Sequence, residues 1–113
     1  MKKKYLLSTG LLTDQVEYYI IDLFKLHLSV YPKDIPGADW IGFDFIMTDT
    51  KKDEIRRVAT DRLNKLVSKI QKNFNDVSIR LSEAALIDET TLKVILDVNQ
   101  IQSEEILIDL YNN

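Results

Sequence analysis

Residues 31–45 read YPKDIPGADWIGFDF, and this stretch divides the chain into two unlike halves. It holds both prolines, two of the three glycines and the only tryptophan, so regular structure must pause there. An apolar helix leads in and a basic helix leads out.

Upstream, Thr13 or Asp14 is placed to cap a helix over residues 14–30, with Glu17 three positions after Asp14 as the return arm of a capping box. Val16, Tyr19, Ile20, Leu23, Leu26, His27 and Val30 follow helical spacing. Tyr18, Ile21, Phe24 and Leu28 add apolar groups on the other side. A helix apolar nearly all round must be covered nearly all round, and in so small a domain the second face, Tyr18, Ile21, Phe24 and Leu28, is expected to meet another protein chain. Residues 1–12 are read as an N-terminal arm. Their lysines and leucines imitate a secretion leader, but Ser8, Thr9 and Gly10 interrupt the apolar run and Asp14 follows early. No run approaches the ~18 apolar residues of a membrane span.

Downstream, Thr50 and Asp53 match a capping box, and a second helix is expected over residues 51–73. Ile55, Val58, Ala59, Leu63, Leu66, Val67 and Ile70 form one narrow stripe among lysines and arginines. From Val77 the period changes to two. Strands are expected over 77–81, 92–98 and 106–111, joined around 88–90 and 100–103, with 83–87 either extending the first strand or bulging from it. The fold class is therefore α+β: two helices on a small antiparallel sheet of three strands, or four, in one domain spanning residues 1–113 with its Pro/Gly/aromatic loop at 31–49. A chain of 113 residues is long enough to bury roughly 65% of its unfolded surface without metals or disulfides.

The net charge of −3 argues against nucleic acid as a main partner. Its distribution is uneven. Residues 51–72 hold eight Lys or Arg against Asp53, Glu54 and Asp61, whereas residues 74–113 hold only Arg80 and Lys93 against eight carboxylates. Such a split suits internal pairing or head-to-tail contact between subunits.

Chemistry has few carriers here. There is no cysteine, and the single histidine, His27, reads as a half-buried packing group on the first helix. No phosphate-binding glycine loop or nucleophile elbow is present. Asp34, Asp39 and Asp44 recur in the loop, but loop aspartates bond their own backbone and favour turns. Phe43 and Phe45 read as core, and Trp40 either as core or as a partner anchor. Gly37 and Gly42 suit positive φ or close backbone approach. No cofactor, catalytic residue, metal site or small-molecule substrate is expected. The last strand, if it lies at a sheet edge, offers its backbone to a strand from a neighbouring chain, unless its charges, Glu104, Glu105 and Asp109, serve to discourage such pairing.

The order of apolar helix, Pro/Gly/aromatic loop, charged helix and alternating sheet resembles the small baseplate-wedge, or sheath-initiator, family of contractile-tail phages, sometimes labelled lysozyme-like and related to a type VI secretion baseplate component. Pro32, Pro36, Gly37 and Trp40 through Gly42 and Phe43 look like that family's Pro-x-Phe-Gly turn with Gly and Phe reordered. Where the family carries Glu-Pro-Arg-Ile, residues 74–79 read FNDVSI. The resemblance implies a structural, non-enzymatic protein of the virion tail baseplate, made in the host cytoplasm. Its partners would be other wedge proteins, through the first helix, and a tail-sheath subunit, through Glu105, Ile106, Ile108, Leu110 and Tyr111. A homodimeric adaptor pairing through the first helix and a cell-wall hydrolase using loop carboxylates are the alternatives.

Overall fold

The computed structural model describes residues 4–29 and 54–110. Helices α1 (Val16–Ser29) and α2 (Ile55–Gln71) pack on one face of an antiparallel sheet built from β3 (Ile79–Leu86), β4 (Thr91–Val98), β5 (Ile101–Gln102) and β6 (Ile106–Asp109). A second, two-stranded sheet precedes them, β1 (Tyr5–Leu6) paired with β2 (Leu12–Thr13). The fold is α+β, as its periodicities predict. The loop residues Pro32, Pro36, Gly37, Trp40, Gly42 and Phe43, the loop aspartates and the Thr50–Asp53 cap lie outside the described residues.

The central strand, β4, sets the core. Leu92, Val94, Leu96 and Val98 alternate along it and are fully buried, because period-two side chains of a strand covered on one face share that face. Against them lie Ile20, Leu23 and Phe24 of α1, and Ala59, Leu63, Leu66 and Ile70 of α2, in one continuous cluster. On its other ladder, β3 pairs with β4 through a bulge between Leu81 and Glu83. The stretch 83–87, expected either to extend the strand or to bulge, extends it as far as Leu86, and the bulge falls just before it.

Two turns go beyond the sequence reading. Asn99 (φ 53°) and Gln100 (φ 71°) form the two-residue link from β4 to β5. Both are left-handed, as type I′ hairpins require, with a Gln where Gly is usual. Asn99 fixes the turn by accepting the Ser78 N–H (2.9 Å) on Oδ1, and Asp97 accepts the Gln100 N–H (2.9 Å). After β5 the chain gains one residue against β4. Ser103 absorbs the slip: its N–H donates to Leu96 O (2.8 Å) and its Oγ accepts the Leu96 N–H (3.0 Å). Thus β5 and β6 follow one another along the same side of β4.

The N-terminal arm is itself a hairpin. Leu7 N–H bonds Leu11 O (2.8 Å), Gly10 N–H bonds Leu7 O (3.0 Å), and Gly10 takes φ 90°, the signature of a three-residue loop closing with a left-handed glycine. The hairpin rests on α1. Tyr5 stacks on Tyr19 (ring centroids 5.0 Å), which meets Phe74 edge-on (6.0 Å). Asp22 accepts both the backbone N–H (2.9 Å) and the hydroxyl (2.7 Å) of Ser8.

This covering corrects the reading of α1. Ile21 (8% exposed) and Phe24 (fully buried) belong to the chain's own core, and Leu28 packs partly against it. With α2, β4 and the hairpin all touching α1, a broad apolar stripe is used internally. Of the four residues expected to face a partner, Tyr18 alone stays largely exposed, at 48%. At the start of α1, Thr13 Oγ1 accepts the Gln15 N–H (3.2 Å), and Glu17 accepts from Asn99 Nδ2 (3.4 Å). His27 is buried to 1%, deeper than expected of a half-buried group.

Candidate functional site

The two long edges of the main sheet differ, and alternation along the strands shows how. In an antiparallel pair, every second residue turns its N–H and C=O toward the neighbour and the next turns them away. Asn99 N–H bonds Ser78 O, so Ile79 turns its backbone outward. Two side chains of α2, which packs against β3, reach that edge. Gln71 takes the Ile79 N–H on Oε1 (3.2 Å) and donates to Val77 O and Phe74 O (2.6 Å each). At the other end of the helix, Arg56 Nε donates to Ala84 O (3.0 Å).

Along β6 the same rule gives a different result. Leu110 N–H bonds Thr90 O (2.8 Å), and the register pairs Leu92 with Ile108 and Val94 with Ile106. Ile106, Ile108 and Leu110 therefore turn their backbone groups to β4, and their side chains are buried at 8%, 7% and 0%. This corrects the expectation that these three meet a neighbouring strand. Leu107 and Asp109 are the β6 residues whose N–H and C=O face outward, and the Leu107 side chain is 60% exposed on the far face of the sheet. An apolar residue in the polar phase of the 106–110 alternation was the available signal. Among the described residues no strand lies beyond β6. Tyr111 lies outside them.

Beside this edge, a cleft of about 380 Å³ separates the last turns of α1 from the strand, lined among the described residues by Lys25, Leu28, Ser29, Ile106, Leu107, Ile108 and Asp109. Thus Leu28 is brought to the last strand, whereas Tyr18, ten positions earlier on α1, is not among the lining residues. Lys25 spans to the link between β5 and β6 and donates to Glu104 (2.7 Å). That hydrogen bond, aided by the ammonium charge, holds the Glu104 carboxyl below the usual carboxylate range. On the far face Lys93 lies 3.5 Å from Glu83 and 3.8 Å from Glu105, so the carboxylate of Glu105 belongs to a three-strand ion-pair row.

At the opposite turn, Asp88 Oδ1 accepts the N–H groups of Thr90 and Thr91 (2.8 Å each). The Thr90 N–H bond is the main cause of its lowered pKa. No three His, Cys, Asp or Glu side chains converge as a metal would need, and no helix is long and apolar enough to cross a membrane, among the described residues. What the β6 edge can do chemically is donate and accept main-chain hydrogen bonds beside an apolar groove.

Comparison with family models, with curated proteins and with solved structures gives no match to this chain.

Proposed function

We propose that the protein is a non-enzymatic structural subunit of a contractile-tail baseplate wedge, or of a related injection baseplate, and that it receives an extended strand of a tail-sheath subunit along the outer edge of β6. The observation that carries this reading is Leu107, whose backbone groups face away from β4 beside the cleft under Leu28. Strand addition supplies main-chain hydrogen bonds at the edge, and pockets for alternate side chains supply selectivity. The cleft formed by Leu28, Ile106 and Ile108 is such a pocket. Its apolar walls suit an incoming strand whose inward side chains are aliphatic.

Tyr18 is the contact on α1 left for other wedge proteins, a smaller surface than the whole helix face. Work of this kind takes place in the virion tail, on a subunit made in the host cytoplasm. The test is co-expression with wedge and sheath proteins encoded beside this chain, followed by pull-down and electron microscopy. Leu107→Pro removes one outward donor from an edge strand, a position where proline is tolerated. The reading expects a folded variant that no longer retains the sheath subunit. A wild-type protein that binds neither wedge nor sheath subunits would end it.

A further inference from the structure

The N-terminal hairpin covers α1 without joining the core. No residue of β1 or β2 is buried, and none packs against the central cluster. Its leucines stay largely in solvent, with Leu6, Leu11 and Leu12 63%, 67% and 63% exposed. Each strand is two residues long, and an isolated two-stranded hairpin is marginally stable at best in water. The hairpin is therefore ordered because it is docked on α1.

That docking is made by contacts at the surface. Tyr5 stacks on Tyr19 at 5.0 Å, and Asp22 accepts the N–H and the hydroxyl of Ser8 at 2.9 and 2.7 Å. Tyr5, Tyr19 and Asp22 are half-buried and Ser8 is exposed. Only Asp14 and Gln15 lie between the end of β2 and the start of α1, a short hinge. Undocking gives up these surface contacts and leaves the cluster around β4 as it is. An element that buries so little opens at a free energy well below that of global unfolding.

We propose that the β1–β2 hairpin is a strap that opens from α1 as a unit while the two helices and the main sheet stay folded. Opening bares Tyr19 and the Phe74 ring set edge-on to it, both of which share a surface cleft with Lys4, Tyr5 and Leu6. Tyr19 follows Tyr18 on α1, so release enlarges the aromatic surface of that helix. This role rests on the reading of Tyr18 as the contact for wedge proteins: the closed strap limits that contact and the open strap extends it.

The test on the isolated protein is residue-resolved hydrogen exchange by NMR. The amides of Leu7 and Gly10, bonded to Leu11 O and Leu7 O, report the strap, because an undocked hairpin does not hold its own turn. Those of Val94 and Leu96, in the middle of β4, report the core. The strap amides should exchange at least about a hundredfold faster than the core amides. Asp22→Ala, on α1 and outside the hairpin ladder, should speed the strap amides about tenfold and leave Val94 and Leu96 unchanged. That dependence separates release from α1 from fraying of the turn. Strap amides that exchange together with the core, or that ignore Asp22→Ala, would overturn the proposal.

The chain has no cysteine, so Ser8→Cys with Asp22→Cys supplies a lock that dithiothreitol reverses, at side chains that already meet at 2.7 Å. Oxidised, this variant should slow Leu7 and Gly10 to the rate of the core and retain less wedge protein in a pull-down than its reduced form. Equal retention by the two forms would overturn the role given to the strap. A protein that binds no wedge subunit in either form ends the wedge reading alone, since exchange decides the opening without a partner.

Discussion

The two edges of the main sheet meet the same physical problem, a row of backbone groups turned away from the ladder, and treat it in opposite ways. On β3, Gln71 and Arg56 reach from either end of α2 to Ile79, Val77 and Ala84. On β6, the groove beside Leu107 is walled by the aliphatic Leu28 and the stem of Lys25, whose charged end is drawn off to Glu104. An edge whose backbone groups are bonded is a poorer template for a new strand than one whose groups stand open. The difference teaches that edge protection here is done by individual long side chains rather than by secondary structure. It is therefore open to point mutation, which gives several ways to break the contrast.

The largest effect should come from proline on the inward phase of β6. Ile108→Pro removes a donor aimed at β4 and a buried side chain, and should cost about 3 kcal/mol or more. A urea midpoint close to wild type would show that the alternation has been assigned to the wrong phase. Next is the closed edge. Gln71→Ala deletes three part-buried hydrogen bonds, worth about 2–4 kcal/mol together, and opens the start of β3 to foreign strands. Concentration-dependent aggregation of this variant, absent from wild type, would identify Gln71 as the guard of that edge. Arg56→Ala, at the exposed end of the helix, should lose only about 0.5–1.5 kcal/mol.

These side chains also mark where sequence reasoning stopped. Both helices and the strands carrying Leu92 to Val98 and Ile106 to Leu110 are legible because one face of each is buried and the period follows from burial. Gln71 and Arg56 are not, since a polar residue at the margin of a stripe looks the same whether it faces water or a sheet edge. The hairpin is obscured for another reason: Ser8-Thr9-Gly10 is a turn signal, but the surrounding lysines and leucines imitate a leader. Without the hairpin α1 is too apolar to be covered from within, which is why its pattern alone points Ile21 and Phe24 toward a partner. Likewise Asn99-Gln100 lacks the glycine that announces a type I′ turn, and tertiary bonds from Asp97 and Ser78 hold Gln100 where its own preference would not. At the β6 edge, period two located the strand, but which residues faced outward depended on the ladder.

Proline on the outward phase of the same strand gives the control for Ile108. Leu107→Pro leaves the β4 bonds intact and should cost less than about 1 kcal/mol, in contrast with its neighbour. A pair of adjacent prolines, one severe and one mild, would fix the phase of β6 by chemical denaturation alone.

The smallest effect belongs to pH, and it probes the wall of the groove. Lys25 holds the Glu104 carboxyl below its ordinary value in the folded chain. A group with a depressed folded pKa binds its proton more readily when unfolded, so its stabilising contribution is present above the unfolded carboxylate range and is lost as pH falls through the folded value. The pair is solvent-exposed, with Glu104 77% accessible, which makes its contribution slight and sensitive to salt. Glu104→Gln should therefore show a shallower loss of stability between neutral and acidic pH than wild type, with the two converging in acid and at high ionic strength. Asp88 titrates in the same direction through its bond from the Thr90 N–H, so the measurement is the difference between the two proteins and not the acid limb of either. If the two curves run parallel at low salt, Lys25 is not held against Glu104 in solution, and its ammonium is available at the mouth of the cleft, where it would favour an incoming strand that carries a carboxylate.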